Sequence, residues 1–143
     1  MAQRDDNLRL VEAFWDDLYR RDFDKVGSYM ADDGRYEDVP VPDGGAVGPE
    51  AVAARLRIGL EPVEKMVHRP NRMIADDETV MTEHIEEWHF GDGEMVALPF
   101  VSVHEIRDGK ITLWRDYWNL PTLMDGAPQW WLDRLAAASG GGG

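Results

Sequence analysis

Asp108-Gly109-Lys110-Ile111-Thr112-Leu113-Trp114-Arg115-Asp116-Tyr117-Trp118 reads as a hairpin turn feeding a strand, and the strand carries a carboxylate where a core residue belongs. Asp-Gly between two alternating runs marks a tight hairpin, because glycine takes the positive φ that such a turn needs. Beyond the turn, side chains alternate between the faces of a sheet. Ile111, Leu113, Arg115 and Tyr117 share one face; Thr112, Trp114, Asp116 and Trp118 share the other. With the tryptophans marking the buried face, Asp116 lies between them. Burying even a neutral polar group without a partner costs about 2–7 kcal/mol. Asp116 therefore needs partners or has a chemical task.

Upstream of that hairpin the pattern is strand after strand. Glu94 to Arg107 precedes it, Gly91-Asp92-Gly93 turns back to Glu78–Phe90, and Val63 to Ile74 forms another, interrupted by Pro70. Earlier still, Leu8, Val11, Phe14, Trp15, Leu18 and Tyr19 recur at helical spacing, and a short second helix spans Phe23 to Met30. Arg35 to Val39 reads as a strand stopped by Pro40, Pro42 and Gly44-Gly45. Pro49 opens a third helix that Pro62 ends. After Trp118, Pro121 breaks the last strand, and Trp130, Trp131 and Leu135 suggest a terminal helix. Helices followed by a meander of long strands predict an α+β fold: a cone-shaped, curved, mostly antiparallel sheet wrapped around N-terminal helices.

The 143 residues show no internal repeat and fit one domain, taken as 1–138, with the glycine-rich 139–143 set aside as a flexible tail. A formal charge of −13 argues against nucleic acid as a partner. No apolar run is long enough to span a membrane, and no signal-peptide pattern opens the chain. The absence of cysteine excludes disulfide and thiolate chemistry and makes a cytoplasmic location the default expectation. The six tryptophans suggest an aromatic-lined core or cavity.

Gly109-Lys110-Ile111-Thr112…Trp114-Arg115-Asp116-Tyr117, together with Tyr36-Glu37-Asp38-Val39-Pro40-Val41-Pro42 and Thr82-Glu83-His84-Ile85-Glu86, resembles the limonene-1,2-epoxide hydrolase branch of the SnoaL-like and nuclear transport factor 2-like superfamily. The resemblance runs from about Leu8 to Leu123. It implies a cofactor-independent enzyme in which one carboxylate deprotonates water and a second carboxylic acid protonates the departing epoxide oxygen. The base maps onto Asp116, the acid onto Glu86 and a water-holding tyrosine onto Tyr36. The chain departs from the pattern twice: His84 stands where the family carries arginine, and Asp38 where it carries asparagine. A doubly protonated imidazole has an N–H on each side, so His84 is expected to bridge Glu86 and Asp116, with its pKa raised by them. His84→Arg is then expected to preserve much of the activity.

Other readings compete. Asp38 before Pro40 can simply turn the chain, or serve as the base of a ketosteroid-isomerase-like enzyme, lyase or cyclase. The tyrosine an isomerase needs on the first helix appears here as Phe14, and its second acid would fall near Ser102 or Val103. A non-catalytic module that holds a hydrophobe is the third reading. His84, Glu86 and His104 offer two histidines and a carboxylate, but strand parity alone supports a metal there, so no metal is expected. His68 and Pro70 read as structural, and Glu83, Glu87 and His89 as a solvated edge.

By parity, Trp88, Leu98, Phe100, His104, Trp114 and Trp118 should line the pocket, and Trp15 and Met30 are expected to add to its wall. An apolar aromatic cavity with a few polar groups is the usual form of a small-molecule site. Ile85, Val101, Val103, Leu113 and Tyr117 would point outward, an apolar patch that predicts a homodimer through the sheet.

Overall fold

The computed structural model, which describes residues 2–141, packs five helices with one six-stranded sheet. In chain order these are α1 (Ala2–Tyr19), α2 (Phe23–Ser28), β1 (Met30–Asp38), β2 (Ala46–Val47), α3 (Pro49–Leu60), β3 (Lys65–Ala75), β4 (Thr79–Gly91), β5 (Glu94–Arg107), β6 (Lys110–Trp118), α4 (Leu120–Met124) and α5 (Gln129–Gly141). The sheet order is β2-β1-β6-β5-β4-β3. Every neighbouring pair is antiparallel except β1 and β6, which run parallel. The α+β architecture expected from the sequence is the one observed. Among the described residues, no helix is long and apolar enough to cross a membrane.

Both Asp-Gly turns close as expected: Asp92 and Gly93, then Asp108 and Gly109, all adopt positive φ. That backbone matches the right-handed twist of the strands it joins. α1 buries Val11, Phe14, Trp15 and Leu18 as its spacing predicts, while Leu8 and Tyr19 are half-buried and Asn7, outside the predicted stripe, is buried. The inner face then repeats with period two along β4 and β5, from Val80 to Phe90 and from Val96 to Ile106.

Several local readings need correction. The second helix ends at Ser28, and Met30 starts β1 and packs in the core without lining the cavity. Pro70 leaves β3 continuous, because the strand lies at the sheet edge and a register shift between Pro70 and Arg72 absorbs it. Ile111 is fully buried, not outward, because the pairing of β5 with β6 shifts register between Glu105 and Ile106. Beyond that bulge the expected alternation resumes. Pro121 lies in the first turn of α4, whose amide-free start it suits. α5 continues to Gly141, into the run read as a tail, and residues 142–143 lie outside the described residues. Of the outward apolar positions, Val101 and Tyr117 are exposed, whereas Ile85, Val103 and Leu113 are half-buried.

Candidate active site

A cavity of about 370 Å3 opens between the inner face of the sheet, α1, α3 and the two C-terminal helices. Leu18, Leu56, Leu60, Leu98, Phe100, Leu123, Trp131 and Leu135 give it apolar walls, and Glu86, Asp116, Asp38, Tyr36 and Arg55 supply its polar groups. Trp88, Trp114 and Trp118 also line it, as their parity predicts.

Asp116 is 6% exposed, on the central strand β6. Its Oδ1 accepts hydrogen bonds from Ser102 Oγ (2.6 Å) and Trp114 Nε1 (2.8 Å). Burial pushes its carboxyl well above the usual carboxylate range, and the charges of Asp38 and Glu86 push the same way against the two donors. Asp38 lies directly across the β1–β6 pairing from it.

Glu86 sits on β4, also buried, and its Oε1 accepts from Trp88 Nε1 at 3.1 Å. Tyr19, from the last turn of α1, donates its hydroxyl to Oε2. Both donors favour the ionised form, yet burial outweighs them and raises the Glu86 carboxyl to about 7. A carboxyl poised there can give up a proton near neutral pH.

Asp38 is the most connected of the three acids. Its Oδ1 accepts from Tyr36 (3.2 Å) and Trp118 Nε1 (3.0 Å), and its Oδ2 pairs with Arg55 at 3.1 Å. Arg55 reaches across from α3 and also holds Asp43. Tyr36 stacks flat on Trp114, ring centres 3.6 Å apart, which fixes its hydroxyl beside Asp38.

His84 does not bridge the carboxylates. It is buried with Phe100 stacked on its ring at 3.5 Å, and neither Glu86 nor Asp116 is its partner. Its Nδ1 meets His68 Nε2 at 2.8 Å and its Nε2 meets Ser102 Oγ at 2.9 Å. Burial, reinforced by His68 and His104, lowers its pKa to about 3. The expected cation is a neutral imidazole, because no carboxylate compensates its desolvation. His104 also departs from expectation. It lies outside the cavity wall, stacked on Trp114 and edge-on to Phe14 and Trp15, with both ring nitrogens buried and, among the described residues, unpartnered. Among the described residues, no three histidine, aspartate or glutamate side chains converge as a metal site.

The sequence reading missed Tyr19, Arg55, Ser102 and His68. By spacing alone Tyr19 reads as one more member of the apolar stripe of α1. Counting back from the Asp108-Gly109 turn through an unbulged hairpin pairs Ser102 with Arg115. The bulge moves it opposite Asp116.

Together the fold and the cavity define a small α+β protein built around an apolar pocket with buried acids. A profile of the SnoaL-like domain matches residues 11–114, and the chain belongs to that family. It is 34% identical over 116 residues to the epoxide hydrolase EphG of Mycobacterium tuberculosis (strain ATCC 25618 / H37Rv), an overlap of 81% of this chain and 75% of that one. The solved structure of an M. tuberculosis LEH-like epoxide hydrolase matches with a TM-score of 0.72 at 32% identity, covering 95% of this chain and 96% of that one. A protein of ketosteroid-isomerase-like fold from Catenulispora acidiphila DSM 44928 has the same TM-score of 0.72 at 19% identity, over 82% of this chain and 90% of that one. At that identity the likeness speaks for the fold alone. The chain is a homologue of an epoxide hydrolase.

Proposed function

We propose that this chain hydrolyses a small apolar epoxide, cyclic or terpenoid in shape, to a vicinal diol in one general acid–base step of the limonene-1,2-epoxide hydrolase type. The observation that carries the reading is the pair of buried carboxyls, Asp116 and Glu86, that share one apolar cavity and both bind protons more tightly than usual. Tyr36 and Asp38 orient a water beside Asp116. Asp116 takes a proton from that water as its oxygen attacks an epoxide carbon. The carbon–oxygen bond breaks, and Glu86 gives its proton to the departing oxygen. One water is consumed, and the cycle closes when Asp116 loses a proton and Glu86 regains one. No cofactor enters. A raised pKa makes Asp116 a stronger base and keeps Glu86 protonated near neutrality, which suits each task. The trade of arginine for His84 is compatible with this scheme, because the acid is held from α1 by Tyr19 instead. The homodimer through Val101 and Tyr117, and a cytoplasmic setting, belong to the same proposal.

A panel of cyclic and terpene epoxides in labelled water, with diols read by mass spectrometry, tests it. One labelled oxygen should appear in each diol. Asp116→Asn and Glu86→Gln should each lower turnover by at least about a hundredfold while leaving the protein folded. Near-full activity in Asp116→Asn would remove the assignment, and a product without water oxygen would favour isomerisation or cyclisation.

A further inference from the structure

His68, His84, Ser102 and Asp116 form an unbroken hydrogen-bonded row across four strands, β3, β4, β5 and β6. Sheet geometry explains it. His84 stands opposite Phe100 and Pro70, so its same-face diagonal neighbours are Ser102 and His68. Ser102 stands directly opposite Asp116.

The direction of the row follows from the chemistry of its ends. An ionised carboxylate can only accept, so the Ser102 proton points at Asp116. The Ser102 oxygen then receives Nε2–H from His84. A neutral His84 protonated on Nε2 has a bare Nδ1, which accepts Nε2–H from His68. Three donors in series thus aim at Asp116 Oδ1, with Trp114 as a fourth. Oδ2 has no protein donor among the described residues and stays available to the cavity.

The geometry points to a neutral donor chain, anchored by His68 and passed through His84 to Ser102, that stabilises the ionised form of Asp116 and does without a cationic bridge. His84 and His68 are positioning residues here, since neither lines the cavity. The inference rests on Asp116 as the base of the proposed hydrolysis. The surroundings keep the pair uncharged. His68 faces Tyr19, stacked on it at 4.3 Å, and the charge of Asp16, yet burial lowers its pKa to about 4. His84 faces His68, His104 and the Ser102 hydroxyl, and among the described residues it has no direct carboxylate partner. Asp116 faces the charges of Asp38 and Glu86, which repel it, and the neutral hydroxyls of Tyr36 and Tyr19, while the Arg55 cation in the same cavity is taken up by Asp38 and Asp43, so the row supplies donors against the carboxylate repulsion. The row also meets the acid's holder, because the Tyr19 stacked on His68 is the donor to Glu86.

The test titrates Asp116 directly by carboxyl-carbon NMR, and reads the protonated nitrogen of His84 by nitrogen NMR, in the parent and four variants. In the parent, His84 should carry its proton on Nε2. Ser102→Ala should raise the Asp116 midpoint by about one pH unit, the worth of one hydrogen bond to a charged group. His84→Phe should raise it less, and His84→Gln, which restores an amide donor, should bring it back toward the parent. His68→Phe keeps the stack on Tyr19 but should let the His84 proton divide between its two nitrogens. With an epoxide turned over, the acidic limb of kcat should move with the same ladder while KM stays put. An Asp116 midpoint unmoved by Ser102→Ala and His84→Phe, or a His84 proton on Nδ1 in the parent, overturns the chain. The NMR ladder appears whether or not any epoxide reacts, so a protein that shows it and makes no diol keeps the chain and loses the hydrolase.

Discussion

The Tyr19 hydroxyl donates to Glu86 Oε2, so the acid on β4 is held from the first helix and not from its own strand neighbour His84. This contact separates the two carboxyls into different supporting frames. Glu86 depends on α1 and on Trp88; Asp116 depends on β5 and on Trp114.

Tyr19→Phe removes one of the two donors that favour ionised Glu86 while keeping the ring against His68 and Trp15. The Glu86 pKa should rise from about 7. An acid must be protonated to act, so the alkaline limb of the rate profile should shift upward by about one pH unit. A limb that stays in place would show that Glu86 is not the titrating acid.

His84→Arg should inactivate, contrary to what the resemblance suggests. A guanidinium at that position cannot accept from His68, Glu86 already accepts from Tyr19 and Trp88, and Phe100 and Trp15 pack against the space. An uncompensated buried charge costs about 3–5 kcal/mol. Thermal unfolding should reveal that loss alongside the loss of turnover. A stable, active variant would restore the bridging role.

Period-two alternation from Asp108-Gly109 located Asp116, Trp114 and Trp118, and from Gly91-Asp92-Gly93 it located Glu86 and Trp88, since turn chemistry and parity are local properties of the chain. Parity names a face and not a partner. It put His84 and Glu86 on one side of β4 and could not show that His84 leans toward β3 and β5. Arg55 was invisible for another reason. On α3 it lies between apolar positions of the buried stripe, and only the packing of that helix over β1 brings it to Asp38. The two-residue β2 and the five-residue α4 are too short to carry a periodic signal.

Arg55→Met should test how far Asp38 depends on its cation. Both side chains retain some solvent, 22% and 13%, so the loss should be about 1–3 kcal/mol, less than for a fully buried pair. Adding Asp38→Asn should recover part of it, since the pair is then removed together. Chemical denaturation of Arg55→Met, Asp38→Asn and the double variant closes the cycle. Independent, additive losses would mean the 3.1 Å contact carries no energy.

His104 gives the sharpest stability prediction. Its pKa falls from the ordinary 6.5 to about 3 because burial disfavours the charged ring. The folded state therefore holds fewer protons than the unfolded state between those values. Stability from this residue is complete above pH 6.5 and is lost as pH falls toward 3. At pH 5 the loss should reach about 2 kcal/mol, at ~1.4 kcal/mol per pH unit. His68 and His84 add in the same direction, with folded values of about 4 and 3. Glu86 works oppositely. Its raised value near 7 makes folding favour the protonated acid, so that contribution is complete below 4.5 and lost as pH rises through 7. His104→Leu removes one buried titrating ring, with its two nitrogens unpartnered among the described residues, while filling similar space. It should stabilise the protein at pH 8 by about 1–3 kcal/mol, the usual penalty of an unsatisfied buried group, and by about 2 kcal/mol more at pH 5. Turnover at neutral pH should be unaffected, because His104 lies outside the cavity wall. A stability gain equal at both pH values would show that His104 exchanges protons alike in the folded and unfolded chain.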